Sequence, residues 1–202
     1  MENEMSDKIH SFAGKGLFPA KYAFTLLIPL RNIFLSPAKL IRQLELKPHH
    51  NVLEIGPGPG YFSAKIASRL PEGKLHLLDV QQDMLAIAKK RLSKKKINNV
   101  EFHLGDGRKF PFPDEMFDII FMVTVLGEVA NHEDYAEEFH RVLKNDGILS
   151  IAEQAGDPDK MSMEQIDELL SRKNFQMHRK YGNRFHFNVI YKKHDKHTII
   201  LK

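Results

Sequence analysis

The chain of 202 residues contains no cysteine. That absence removes disulfides, thiolate metal sites and a cysteine nucleophile from consideration, and it suits a reducing cytoplasm. No low-complexity tract or internal repeat is visible, and a composition of 42% apolar and 28% charged residues belongs to a globular protein rather than a disordered or fibrous one. Long apolar runs are also missing. The longest, Tyr22 to Leu35, is broken by Pro29, Arg31 and Asn32, so nothing is expected to span a membrane. The opening MENEMSDKIH is acidic and polar where a secretory signal would be basic and then apolar, so a cytoplasmic chain is expected. The 11 histidines show no ligand pattern such as H-E-x-x-H, and HDKH from His194 reads as a tail, so no metal is expected.

At this length a single domain can bury a real core, with at most a small appended segment. The expected division is an N-terminal helical extension over 1–45 and a main domain over 46–202. The formal net charge is +4, with much of the excess in KKRLSKKK (Lys89 to Lys96) and in YKKHDKH near the end. Clustered cations can neutralise nucleic-acid phosphates. The first cluster, however, continues a helical pattern beginning near Asp83, where a solvated end rich in cations complements the helix dipole.

Before Val52 the sequence reads as helical, with a fresh start at Ser36-Pro37, where Ser can cap and Pro fits the first helical position. From Val52 onward strand-like runs alternate with helical patterns: VLEI then YFSAKIASRL, KLHLLDV then DMLAIAKKRL, VEFHLGD then the loop FPFPDE, FDIIFMVTV then HEDYAEEFHRVL, ILSIAE then MEQIDELLSRK. This rhythm predicts βαβ units, and hence a Rossmann-like, doubly wound α/β sheet that is mostly parallel. Lys144-Asn145-Asp146-Gly147 reads as a helix-ending connection that tolerates left-handed backbone, and a turn at Gly182-Asn183 predicts an antiparallel strand pair closing the sheet.

VLEIGPGPGYFS, Val52 to Ser63, joins a buried strand to a helix through a turn crowded with glycine and proline. In open parallel sheets ligands bind beyond the carboxyl ends of the strands, and this first turn is the usual place of approach. Gly56, Gly58 and Gly60 present bare main chain, and the following helix aims N–H groups at negative charge. The dinucleotide fingerprint wants a further glycine where Tyr61 stands, and Pro57 and Pro59 remove two donors, so a pyrophosphate is a poor match.

The pattern Glu54-x-Gly56-x-Gly58-x-Gly60 resembles motif I of the class I S-adenosylmethionine-dependent methyltransferases, and the resemblance runs from Val52 to about Glu153. Gly105-Asp106-Gly107, PFPDEMFDIIFMVTVLGEV and RVLKNDGILSIAE resemble later elements of the same family, with most likeness to its type 11 branch of ubiquinone and menaquinone C-methyltransferase-like proteins. The resemblance implies S-adenosyl-L-methionine as cofactor and S-adenosyl-L-homocysteine as product. It implies that Asp79 accepts both ribose hydroxyls, as an acceptor-only carboxylate can. Val80 and Met84 would line the adenine, Asp106 between Gly105 and Gly107 would accept from its amino group, and Pro57 and Val123 would complete the walls. Glu54 would either brace the loop or reach the methionine amino group. Blander readings stand beside these: Asp79 as a helix cap, Asp106 as a turn residue, Met84 as core.

Glu128 and His132 follow the fourth strand, where the methyl group should face the acceptor, and are the acid–base candidates; each could equally be a cap or helix-start residue. The acceptor is expected to be a small or lipid-like molecule. The N-terminal apolar segment would be a lid over it, with a peripheral lipid contact or simple packing as alternatives. A nucleic-acid acceptor is disfavoured, because Thr124-Val125-Leu126-Gly127 stands where base amino methylases carry an NPPY-like tetrad and no cysteine is present for C5 chemistry. A non-catalytic cofactor-binding regulator is the remaining alternative. The sequence leaves the oligomeric state open.

Overall fold

The structure, a computed structural model, describes residues 35–194, so the segment expected to form a lid lies, up to residue 34, outside the described residues. The first described helix, α1 (Pro37–Leu44), begins as its sequence predicts: the Ser36 hydroxyl accepts the N–H of Lys39 at 3.2 Å and Pro37 occupies the first turn. The following elements are β1 (Asn51–Ile55), α2 (Ser63–Ala67), β2 (Lys74–Asp79), α3 (Gln82–Lys94), β3 (Val100–Leu104), β4 (Phe117–Val123), a 3-10 turn (Leu126–Glu128), α4 (His132–Val142), β5 (Leu143–Glu153), α5 (Met163–Ser171), β6 (Phe175–Gly182) and β7 (Phe187–Lys193).

The strands form one seven-stranded sheet in the order β3-β2-β1-β4-β5-β7-β6. β1 to β5 run parallel, and β7 runs antiparallel between β5 and β6. The chain winds outward from β1 through β2 to β3, returns by the helix-free 105–116 segment, and winds the other way from β4. The reversal opens a crevice at the carboxyl ends of β1 and β4.

Both faces of the sheet are covered, which is why its central strands read as near-continuous apolar runs. Leu53, Ile55, Ile120, Met122 and Leu149 belong to the core beneath α4 and α5, together with Phe139 and Leu170. Their neighbours Val52, Leu75, Ile119 and Phe121 point the other way, into a second core with Leu44, Ile66, Ala88 and Leu92 from α1, α2 and α3. The cationic run at the end of α3 has a buried Leu92 and exposed Lys89, Lys90, Lys94, Lys95 and Lys96, as a solvated helical end requires.

One expected connection is corrected. Lys144 to Gly147 form no left-handed turn; they belong to β5, and none of the four has positive φ. Leu143 still pairs with Phe117, whereas Ile148 pairs with Ile119, so β5 carries extra residues through a bulge. Gly147 is needed there for room: a β-carbon would lie 2.8 Å from Leu143 Cδ1 and 3.0 Å from the Asp118 carbonyl oxygen.

The 105–116 segment carries part of the expected site and has no helix of its own to hold it. Arg141 on α4 supplies the anchor: its guanidinium donates to the carbonyls of Phe112 at 2.7 Å and Phe110 at 3.0 Å, and to Glu138 at 2.6 and 2.8 Å. Glu138 in turn accepts the Phe110 N–H at 2.6 Å. Arg141→Ala should therefore destabilise the protein by about 2 kcal/mol, because it strips donors from part-buried acceptors. Urea unfolding followed by circular dichroism checks this, and an unchanged midpoint would show that the segment is held by its phenylalanines alone.

Candidate functional site

The turn after β1 is built around left-handed backbone, with φ of 61° at Gly56, 51° at Gly58 and 73° at Gly60. Gly56 donates its N–H to the Leu78 carbonyl at 2.9 Å and Gly60 to that of Pro57 at 3.0 Å, which folds the turn tightly over the end of β2. A β-carbon on Gly56 would lie 2.5 Å from Val125 Cγ2, so the glycine is demanded by both conformation and space.

Glu54, next to last in β1, and Asp79, last in β2, are both buried beside this turn. Glu54 accepts the Ser63 hydroxyl at 2.6 Å. Burial, reinforced by the charge of Asp79, pushes the Glu54 carboxyl up to about 8, with the Ser63 bond pulling the other way. Asp79 Oδ1 accepts the N–H of Gln81 at 2.9 Å. Burial raises its carboxyl pKa, while backbone N–H groups of Gln81, Gly58 and Val80 act in the opposite sense. A carboxylate has room for further donors, so this cap-like bond leaves acceptor capacity.

Next to β2, Gly105 donates to the Asp79 carbonyl at 2.9 Å and Gly107 has φ of 79°, with the site of a β-carbon 3.8 Å from Val80 Cγ1. Asp106 is exposed, and its Oδ1 accepts the N–H groups of Arg108 at 2.8 Å and Lys109 at 3.0 Å, which holds its carboxyl below the ordinary range. Met84, on the first turns of α3, is buried, and Val80 is half-buried between Asp79 and that helix. Thus Glu54, Gly56, Pro57, Gly58, Gly60, Asp79, Val80, Met84, Gly105, Asp106 and Gly107 all lie in or beside the three adjoining strand ends at the carboxyl edge of β1, β2 and β3.

The remaining candidates lie on the other side of the crevice. Val123 ends β4, half-buried, and Glu128 ends the 3-10 turn. His132 opens α4, and its Nε2 donates to the Leu126 carbonyl at 3.0 Å, fastening the 3-10 turn to the helix. At Gly127 a β-carbon would lie 1.7 Å from the Asp159 carbonyl oxygen, so the chain after β5 crosses directly over this turn.

That crossing carries groups which sequence reading missed. Glu153, the last residue of β5, is 1% exposed, and no described group hydrogen-bonds either of its carboxyl oxygens. The side-chain nitrogen of Gln154 is likewise buried without a described partner. Burial, then the nearby Asp157, pushes the Glu153 carboxyl up to about 8, with Lys160 opposing and Glu128 adding to the rise. A glutamate closing an apolar strand at the ligand edge was visible in ILSIAE as a signal. Thr124 gave none: its φ of 54° strains a β-branched residue, and its N–H reaches the Ala152 carbonyl at 2.8 Å.

A three-layer α/β sheet with a crevice at the strand reversal, a glycine turn and a row of acidic strand ends places the protein in the Rossmann-like class. Within that class, the methyltransferase-domain family matches residues 46–200, and the chain belongs to it. The ubiquinone/menaquinone biosynthesis C-methyltransferase UbiE of Ectopseudomonas mendocina is 36% identical over 110 residues, 54% of this chain and 43% of that protein. The demethylmenaquinone methyltransferase of Chlorobaculum parvum is 37% identical over 118 residues, 57% of this chain and 45% of that protein. The chain thus spans less than half the length of these relatives in the matched regions. A crystal structure of a SAM-dependent methyltransferase from Aquifex aeolicus superposes with a TM-score of 0.81 at 25% identity, covering 87% of this chain and 98% of that one. Among the described residues no helix is long and apolar enough to cross a membrane.

The two raised carboxyl groups give a pH prediction. Glu54 and Glu153 keep their protons in the folded state at a pH where the unfolded chain has released them, so their contribution to stability is full below about pH 4.5 and is lost as pH rises through about 8. Chemical denaturation of Glu54→Gln/Glu153→Gln beside the parent should show a shallower decline between those limits. Parallel curves would mean that both carboxyls titrate normally.

Proposed function

We propose that this chain binds S-adenosylmethionine at the glycine turn and transfers its methyl group to a small, hydrophobic quinone-type acceptor. The observation that carries the reading is the buried Asp79 carboxylate at the end of β2, set beside the bare backbone of Gly58. The residues present suit an adenosyl ligand: Gly56 keeps the turn clear of side chains, Asp79 offers acceptor positions for two ribose hydroxyls, and Val80 with Met84 offers apolar surface for a purine. Gly105 and Gly107 leave the main chain open on the adenine side, and the Asp106 oxygen not engaged by its own turn is the acceptor for the amino group. Pro57 and Val123 close the walls, and Glu54 holds the turn through Ser63.

When bound, the cofactor supplies a methyl carbon made electrophilic by its sulfonium. The chain aligns the acceptor and excludes water, effects worth roughly 7–11 kcal/mol in favourable oriented systems. On the acceptor side, Glu153 and Glu128 form an unequal carboxyl pair. Glu153, buried and uncharged near neutrality, donates a hydrogen bond to an acceptor oxygen; Glu128, the less buried, takes the proton that the acceptor releases. His132 holds the 3-10 turn in place through its bond to Leu126. The relatives named for ubiquinone, menaquinone and demethylmenaquinone support the choice of acceptor class.

Calorimetric titration with S-adenosylhomocysteine should give saturable heat that Asp79→Asn weakens at least tenfold, the loss expected for a charged hydrogen-bond acceptor, while NADH gives none. Heat from NADH alone would overturn the reading. With a panel of soluble hydroquinones as acceptors, Glu128→Gln should lower kcat by about 10² to 10⁴ and leave S-adenosylhomocysteine affinity intact. His132→Ala should do far less, and full turnover in Glu128→Gln would remove that residue from proton transfer.

A further inference from the structure

A second cluster of side chains lies away from the glycine turn, on the inner face of β2 and β3. The register pairs His76 with Glu101 and Leu78 with His103, and because side chains alternate along a strand, these three polar residues share one face. His76 is 2% exposed between Leu75 and Leu77, and polar residues buried in that way require partners. His76 Nδ1 lies 3.1 Å from His103 Nε2, and Glu101 Oε2 lies 3.5 Å from the first and 3.8 Å from the second. Three ligand atoms from three side chains thus surround one point.

We propose that His76, Glu101 and His103 form a binding site for a divalent transition-metal ion of the zinc kind, with water as the fourth ligand. Two atoms bound to one zinc at about 2.0–2.1 Å and at a tetrahedral angle lie about 3.3–3.4 Å apart, and the three observed edges bracket that value. Two imidazoles and one carboxylate form a donor set suited to zinc. The remaining carboxylate oxygen of Glu101 is held by Lys74 Nζ at 2.5 Å, an outer bond that aims Oε2 at the histidines. On the core side Phe112 packs edge-on against both imidazoles, with ring centroids 5.8 Å from His76 and 4.7 Å from His103, and Phe117 does so against His76 at 5.3 Å. The rings keep water from that side and fix both imidazole planes. The rival arrangement, a hydrogen-bonded histidine pair, uses one proton between the two rings and leaves Glu101 Oε2 outside good hydrogen-bond distance of either. The ion would rivet β2 to β3 three residues before Asp79, bracing the strand ends that carry the glycine-turn site.

The test uses the full chain without a polyhistidine tag, stripped with chelator and titrated calorimetrically with zinc sulfate, then with cobalt(II) followed by visible absorption. One equivalent should bind at least about a hundredfold more tightly than to Glu101→Gln/His103→Ala, with tetrahedral cobalt bands in the parent alone. Zinc should also raise the melting temperature of the parent and not that of the variant. Both substituted positions are only partly buried, and if the double variant does not fold, His103→Gln serves the same comparison. Equal zinc affinity in parent and variant, or absence of the cobalt bands, would overturn the proposal in favour of the histidine pair.

Discussion

The contact that the rest of the site depends on is the approach of the β1–α2 turn to Val125. With Gly56 at φ 61° and no β-carbon, the turn passes so close to the chain leaving β4 that even one methyl group would meet Val125 at 2.5 Å. This closeness sets the width of the crevice. It brings the ends of β1 and β2, with Glu54 and Asp79, onto one side, and the end of β4, with Thr124 and the 3-10 turn, onto the other. The strained φ of Thr124 belongs to the same constraint, because the chain must leave β4 sharply to clear the glycine turn while keeping its bond to Ala152.

Close packing here is sustained by a sheet that is buried on both faces. Each central strand sends alternate residues into two separate cores, so its ends cannot shift without disturbing both. Such a sheet fixes strand ends well but gives no support to the segments between them. The 105–116 segment lacks a helix and borrows one, through Arg141 and Glu138 of α4; the segment after β5 is held where Gly127 allows it to cross the 3-10 turn. Both sides of the crevice are therefore shaped by loops pinned to the second half of the fold.

The strands, their parallel order and the final antiparallel pair were legible because each depends on local pattern: apolar runs, helix starts such as Ser36-Pro37, and the turn at Gly182. The glycine turn and Asp79 were legible for the same reason. Lys144 to Gly147 misled, since residues that favour turns can also fill a bulge, and the requirement at Gly147 for space comes from Asp118, remote in sequence. Glu153 was written in the sequence at the end of its strand, but its burial and the crossing at Gly127 are tertiary facts. The cluster of His76, Glu101 and His103 has no spacing to read, because its members meet only through the pairing of β2 with β3.

Burial sorts the acids along the carboxyl edge of the sheet. Asp106, exposed and bonded by two backbone N–H groups, is held ionised; Asp79 is buried but surrounded by N–H donors that oppose the effect of burial. Glu54 has one hydroxyl and Glu153 has no described donor, and both rise to about 8. The difference follows from how many donors each strand end can reach. Turns that fold back over a strand end, as at Gln81 and Arg108, present N–H groups to a carboxylate and favour its charged form, whereas Glu153 at the end of β5 has no described donor. A site for a polar nucleoside needs acceptors of the first kind. A carboxyl of the second kind keeps its proton and can donate it in a hydrogen bond, which is the role proposed above for Glu153, so the acids along this edge divide into acceptors at the glycine turn and a donor at the end of β5.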